Sequence, residues 1–354
     1  MKNIDKYLSL LGTDIDGLLL TSRYSRHYAA QFDIAEGIAI VTAKGCCYFT
    51  DSRYIESAHN NILDFEVKEM NRANPYSKLI NDAISSFGVE KLGYEEGYLT
   101  VEEFKGFEKD LYATLIPMGT QINSFRSVKE PWELDRMRKA QQITDQAFSE
   151  VIKRIKVGMT EKELQAELIY CLYKNGGESL SFDPIVVSGP NTSLPHGVAG
   201  DRVIAEGDFV TLDFGVVYGG YCSDMTRTVA IGYASEEMQR VYDTVLKAQL
   251  RGIATTKAGV TGAEIDGAAR KVISDAGYGP YFGHGYGHSL GMECHEWPNC
   301  SPSSTTPMEP NMITSAEPGI YLPGKFGVRI EDVVIFTEDG CENITRSPKN
   351  LLIV

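Results

Sequence analysis

The chain has 354 residues, 43% of them hydrophobic and 23% charged, long enough for two domains and too apolar for a mainly disordered polymer. Its 34 Lys and Arg stand against 48 Asp and Glu, a net charge of −14, which argues against nucleic acid or an anionic membrane as partner because both select basic patches. Asp5, Asp14 and Asp16 interrupt the opening segment, so it reads neither as a secretion signal nor as a membrane span, and a cytoplasmic protein is expected. The seven cysteines (46, 47, 171, 222, 294, 300 and 341) are odd in number and lack CxxC spacing, which points to reduced thiols.

The predicted elements begin with short strands at 17–20, 38–42 and 46–50, the last two joined through Lys44-Gly45 as a hairpin. Helical patterns follow over 51–60 and 100–111, the second opened by Thr100 with Glu102 and Glu103 behind it. This α/β unit holds no dense cluster of His, Asp and Glu. From Ser124 the pattern changes, with Pro131 at a first helical position and apolar residues then recurring at helical spacing. The boundary is placed there, giving an N-terminal domain over 1–124 and a second domain over 125–354.

The second domain reads as built twice. KVGMTEKEL at 156–164 and KAGVTGAEI at 257–265 share Lys, Gly, Thr and Glu in the same places, and Thr160 with Glu163 and Thr261 with Glu264 form matching capping boxes. Each copy leads through a helix and a glycine pair or cluster (Gly176-Gly177; Gly277 and Gly279) into a strand-rich stretch bearing His and acidic residues. Two α+β halves of this kind would face each other across a cleft that draws ligands from both.

Four of the six histidines, His196, His284, His288 and His295, fall in this domain. Around them stand LDFGVVYGGYCSDMTRT at 212–228, HGYGHSLGMECHE at 284–296, AEPGIYL at 316–322 and VRIEDVVIF at 328–336. Two strand-like runs, 209–218 and 221–230, meet at Gly219-Gly220, a dipeptide suited to a two-residue hairpin. Pairing 218 with 221 puts Asp213 opposite Thr226 and Asp224 diagonally on the same face. Carboxylates converging within apolar strands repel and are costly to desolvate unless cations lie between them; the alternative is that one faces solvent at the strand edge. Glu331 shares a predicted strand face with Arg329 and Val333, so an Arg329–Glu331 ion pair competes with a ligand role. Glu317 precedes Pro318-Gly319, a strand ending in a turn. His284 and His288 are spaced i, i+4, but Gly283, Gly285 and Gly287 argue against a helix and for an extended strand with both imidazoles on one face. One imidazole and four carboxylates make an oxygen-rich donor set suited to two Mn²⁺, Co²⁺ or Zn²⁺ ions, and hydrolysis by an acidified water is the expected chemistry.

DFG, SDMTRT, GHSLGMECHE, EPG and RIED, in this order, resemble the metallopeptidase family that includes prolidase (Xaa-Pro dipeptidase), aminopeptidase P and, more distantly, methionine aminopeptidase. The resemblance covers essentially the whole chain and implies an α+β fold: a duplicated pita-bread catalytic domain behind a smaller N-terminal α/β domain of the creatinase/prolidase type. It implies two divalent ions per subunit, Mn²⁺ ahead of Co²⁺ or Zn²⁺. Asp224 and Glu331 would bridge them, with Asp213 on one ion and His288 and Glu317 on the other. Glu317 would be the general base, and His196 and His295 would polarise the substrate carbonyl or stabilise the tetrahedral intermediate. His284 would contact the residue after the scissile bond, and Arg329 would support a metal-bound carboxylate and reach a substrate carboxylate. The implied substrate is a proline-containing peptide cut at its N-terminal Xaa-Pro bond, and the implied assembly is a homodimer. Compact length and SGPNTSLPHGVAGDR at 188–202 resemble prolidase-like and short aminopeptidase P-like chains more than the longer enzymes, and an Xaa-Pro dipeptidase is slightly favoured over an Xaa-Pro aminopeptidase. The N-terminal domain argues against methionine aminopeptidase. The intact ligand set argues against creatinase and a non-catalytic binding protein, leaving a non-peptide amide hydrolase as the other competitor. Tyr286 and Ser289 fill variable places in the histidine motif, and Tyr286 is expected to narrow the pocket.

Overall fold

The computed structural model describes residues 3–12 and 14–354. The chain divides into two compact units, Met1–Arg126 and Ser127–Val354. In the first, β1 (Gly17–Leu20), β2 (Ile38–Thr42), β3 (Gly45–Asp51), β4 (Glu66–Met70), β5 (Lys91–Tyr94) and β6 (Thr114–Pro117) form one sheet in the order β4-β3-β2-β1-β5-β6. Its helices are α1 (Asn3–Leu8), α2 (Arg23–Ala30), α3 (Ile55–Asn61), α4 (Tyr76–Phe87), α5 (Val101–Asp110) and α6 (Gly119–Ser124). Leu19, Ile40, Phe49 and Leu92 pack with Ile80, Ala83 and Ile84 of α4, so this unit has a core of its own. The predicted β2–β3 hairpin is present. So is the cap of α5, where Thr100 and Glu103 bond reciprocally. The helix predicted from residue 51 starts later, because Asp51 still pairs in parallel with Met70 of β4 and belongs to β3.

The second unit opens with α7 (Pro131–Val151), which has its proline in the first turn as predicted, and α8 (Glu161–Lys174). Then come β7 (Ser179–Leu180), β8 (Ile185–Ser188), β9 (Phe209–Phe214), β10 (Val216–Tyr218), β11 (Tyr221–Cys222) and β12 (Met225–Ala230). The second half has α9 (Glu236–Thr255), α10 (Gly262–Asp275), β13 (Gly287–Ser289), β14 (Glu296–Cys300), β15 (Ile313–Ala316), β16 (Gly319–Leu322), β17 (Phe326–Arg329), β18 (Asp332–Phe336) and β19 (Cys341–Asn343). Ile143 and Phe148 of α7 and Leu168 of α8 pack on Val186 and Leu212. Val241 and Val245 of α9 and Ile265 and Ala269 of α10 pack on Ile320, Val328 and Phe336. Each half is thus a helix pair laid over strands.

The duplication extends to backbone bonds. Thr160 forms a β-bridge with Val203, and Thr261 one with Pro307. Lys162 N donates to Gly200 O at 3.2 Å, and Ala263 N to Ser304 O at 2.9 Å. Both predicted capping boxes are made. In the first half the helix start thus ties down the end of the loop that carries His196; in the second it ties down the connection after β14, the strand that follows His295.

The central hairpin has the predicted register, Tyr218 opposite Tyr221 and Asp213 opposite Thr226. It is broken between β10 and β9, where a Cβ on Gly215 would collide with the Ser223 carbonyl. VRIEDVVIF is two strands and not one. β17 pairs with β16 and β18 with β15 and β19, so the chain changes sheets at Ile330-Glu331. Among the described residues no helix is long and apolar enough to cross a membrane, and all seven cysteines are free.

Candidate metal centre

Three of the four acidic groups stand at breaks in regular structure. Asp213 lies on β9, Asp224 between β11 and β12, Glu317 between β15 and β16, and Glu331 between β17 and β18. At such breaks a side chain is freed from strand alternation and can turn toward a common point. His288 sits on β13 at a register shift. These five residues and His196, His284, His295 and Arg329 all line one cavity of about 600 Å³, with residues from both halves in its wall.

The donors are close. His288 Nε2 lies 3.2 Å from Glu317 Oε1 and 3.7 Å from Asp224 Oδ2. Donor atoms of Asp224, His288 and Glu331 all fall within 4.8 Å of one another. His288 Nδ1 stands 3.1 Å from the Ser289 carbonyl, a contact that orients Nε2 into the cluster. Thr226 Oγ1 donates to Glu331 Oε2 at 2.6 Å, and Glu331 N donates to Thr226 O at 3.0 Å. Ser315 Oγ donates to Glu317 Oε1 at 3.0 Å.

Arg329 settles the competition left by the sequence. Its guanidinium pairs with Asp213 Oδ2 at 2.6 Å and also donates to Tyr321 Oη at 2.8 Å, Thr226 Oγ1 at 3.1 Å and Pro195 O at 3.2 Å. Its carboxylate partner is therefore Asp213 and not Glu331. His284 does not share a strand with His288, since β13 starts at Gly287; its Nε2 meets Tyr321 Oη at 2.9 Å. The backbone around it is held from α10, where Arg270 donates to the Phe282 and His284 carbonyls and Asp266 accepts from Tyr286 N. The His295 ring lies 4.2 Å, centroid to centroid, from that of His288.

Tyr286 does not narrow the pocket. It is 1% exposed, points into the core beneath α9, and donates its hydroxyl to Gln249 O at 2.8 Å. Gly252 has no side chain at the spot where this ring lies, which is how α9 admits it. Residues that sequence reasoning missed include Tyr321, which joins His284 to Arg329, and Cys294, whose thiol donates to Asp224 Oδ2 at 3.4 Å. Tyr321 lies inside the AEPGIYL motif, but its role depends on partners from two other segments. The hairpin register set Thr226 opposite Asp213, but its bond to Glu331 was not foreseen.

The electrostatics suit cations. Burial, reinforced by neighbouring carboxylates, pushes Asp224 and Glu331 well above the ordinary carboxylate range. Burial also raises Asp213, outweighing Arg329. Burial acts upward on Glu317 as well, but the hydrogen bond and charge of His288 hold it at about 2, and the same contact lifts His288 to about 9 against its own burial. Asp213 Oδ1, Asp224 Oδ1 and Glu331 Oε1 are buried without a hydrogen-bond partner. Buried carboxylate oxygens are normally paired or bound to a cation. Three such atoms around one imidazole, with no thiolate required, fit hard or borderline divalent ions.

Comparison with known proteins agrees. Residues 135–338 match Metallopeptidase family M24, and residues 2–128 match the Creatinase/Prolidase N-terminal domain. The chain is 40% identical over 353 residues to a Bacillus subtilis (strain 168) protein named "Uncharacterized peptidase YqhT", covering 99% of each. Its fold is similar to that of an Xaa-Pro dipeptidase from Bacillus anthracis, with a TM-score of 0.96, 42% identity and coverage of 100% of this chain and 99% of that one. An X-Pro aminopeptidase from Thermotoga maritima MSB8 is similar at a TM-score of 0.92 and 36% identity, covering 99% of each. With the duplicated α+β unit, the carboxylate-imidazole cluster and a family match over most of the second unit, the chain belongs to metallopeptidase family M24.

Proposed function

We propose that this peptidase hydrolyses the Xaa-Pro bond of proline-containing dipeptides, with Asp213, Asp224, His288, Glu317 and Glu331 holding two divalent ions, Mn²⁺ ahead of Co²⁺ or Zn²⁺. The observation that carries the reading is the set of three unpartnered buried carboxylate oxygens on Asp213, Asp224 and Glu331. When bound, such ions supply Lewis acidity and an acidified water. Glu317 takes the proton from the attacking water and passes it to the proline nitrogen as the C–N bond breaks. His196 and His295 donate to the carbonyl oxygen, where negative charge develops. A tertiary amide has no N–H to recognise, so binding falls to groups on either side of it. His284 contacts the proline side, and Arg329, while holding Asp213, reaches the free carboxylate of a dipeptide.

The similarity to the B. anthracis Xaa-Pro dipeptidase supports the dipeptide reading. That to the T. maritima X-Pro aminopeptidase supports a second, in which longer peptides are trimmed. Metal-stripped protein restored with Mn²⁺, Co²⁺ or Zn²⁺ separates them on a matched pair, an Xaa-Pro dipeptide and the same sequence extended beyond proline. Faster turnover of the dipeptide is expected; preference for the longer peptide selects the aminopeptidase, and turnover of neither removes both. A cytoplasmic homodimer completes the proposal, and a monomer by light scattering would contradict that part of it.

A further inference from the structure

His196 is presented by the loop between β8 and Val203, and that loop closes around a single buried carboxylate. Glu161, the first residue of α8, is fully buried. Its Oε1 accepts from Ser188 N at 2.7 Å, Ser188 Oγ at 2.9 Å and Asn191 Nδ2 at 3.0 Å, and its Oε2 accepts from Gly200 N at 2.9 Å. The four donors come from both ends of the His196 loop, and Glu161 itself stands outside the cavity lining. From the other side, Arg329 holds the Pro195 carbonyl.

The duplicated half shows that the helix does not need this side chain. Gly262 occupies the equivalent first position of α10, behind the same threonine cap, and α10 is as long as α8. There the backbone of Asn299 and the side chain of Ser304 fill the space that a Cβ would take. The loop that carries His295 is held by another carboxylate, Glu296, which accepts from Met292 N and Glu293 N and pairs with the buried Lys129 at 3.0 Å.

We infer that Glu161 is the positioning residue for His196: its acceptor-only carboxylate fixes the loop from Ser188 to Gly200 so that the imidazole meets the substrate carbonyl. The inference rests on the peptidase reading and on the role of His196 in it. Because every partner of Glu161 is a donor, Glu161→Gln sets an amide N–H against a donor and is expected to loosen the loop.

The test uses the full chain loaded with Mn²⁺. Glu161→Gln should lower kcat by about tenfold to a hundredfold, with KM and bound metal little changed, because an interaction made in the transition state is lost. Amide exchange over 189–200 should speed up. In a His196→Ala background Glu161→Gln should have no further effect on kcat, and multiplying losses would overturn the inference. Wild-type kcat in Glu161→Gln, together with a loss in His196→Ala, overturns the inference alone; full activity in His196→Ala overturns it along with the proposed role of His196. Should Glu161→Gln not fold, Asn191→Ala removes one of the four bonds. It is expected to give a smaller loss that also vanishes without His196, and a loss that persists there overturns the inference.

Discussion

Asp224 is 4% exposed, stands among Asp213, Glu317 and Glu331, and has one oxygen that meets no donor. Without cations it burdens the fold; with the proposed ions it would be a point of attachment. Asp224→Asn should therefore make the metal-free protein more stable by about 1 kcal/mol, roughly 2–4 °C in melting temperature, and should remove most of the stabilisation that Mn²⁺ gives the wild type. Thermal unfolding of both proteins with and without Mn²⁺ checks this, and equal Mn²⁺ shifts in the two would contradict it. At this scale the sequence carried residue types and their order but not every pairing. Arg329 and Glu331 share alternation on paper, yet Arg329 reaches Asp213 because β17 lies beside β12 and β9, with Arg329 N donating to Thr228 Oγ1. Tyr286 was misplaced for the same reason: nothing local announces that Gly252 leaves room for its ring.

Elements were legible where their determinants are local. The two capping boxes need only a threonine and a glutamate three residues later, and both form. Backbone N–H groups of Thr160 and Thr261 hold Glu163 and Glu264 below the usual carboxylate value of 4.5. A depressed folded-state pKa means that the unfolded chain binds the proton more readily. The contribution is therefore in place above pH 4.5 and is lost as pH falls through the folded-state value. Glu163→Gln/Glu264→Gln should show a shallower fall in melting temperature below that pH than the wild type, and an unchanged slope would refute the assignment. The sheet change at Ile330-Glu331 was not legible, because it depends on which distant strands β17 and β18 join. Gly287 shows how tightly such non-local packing holds the site, since a Cβ there would collide with the Ser315 carbonyl of β15. Gly287→Ala should push β13 away, displace His288 and weaken Mn²⁺ binding by about tenfold or more. Calorimetric titration of metal-free protein measures it, and wild-type affinity would show that β13 tolerates the extra carbon.

The whole molecule separates a unit with its own sheet and core from a unit that holds every proposed metal ligand. A ligand stabilises only those openings that disrupt its site, by about 2.7 kcal/mol at a hundredfold excess over Kd. The segments expected to gain protection on Mn²⁺ binding are therefore those that bring donors together: β9, the β11–β12 and β15–β16 junctions, β13, and Ile330-Glu331 with its neighbours. These come from both halves, so the ions would cross-link the duplicated units, and opening of either half would then require release of metal. Hydrogen exchange with and without Mn²⁺ should show slowing in both halves of 127–354 and none in β1 to β6. Protection confined to one half would mean that the donors of the other do not bind. Protection spreading into β1 to β6 would mean that the first unit opens together with the metal site, and its separate core would then not be a separate unit of stability.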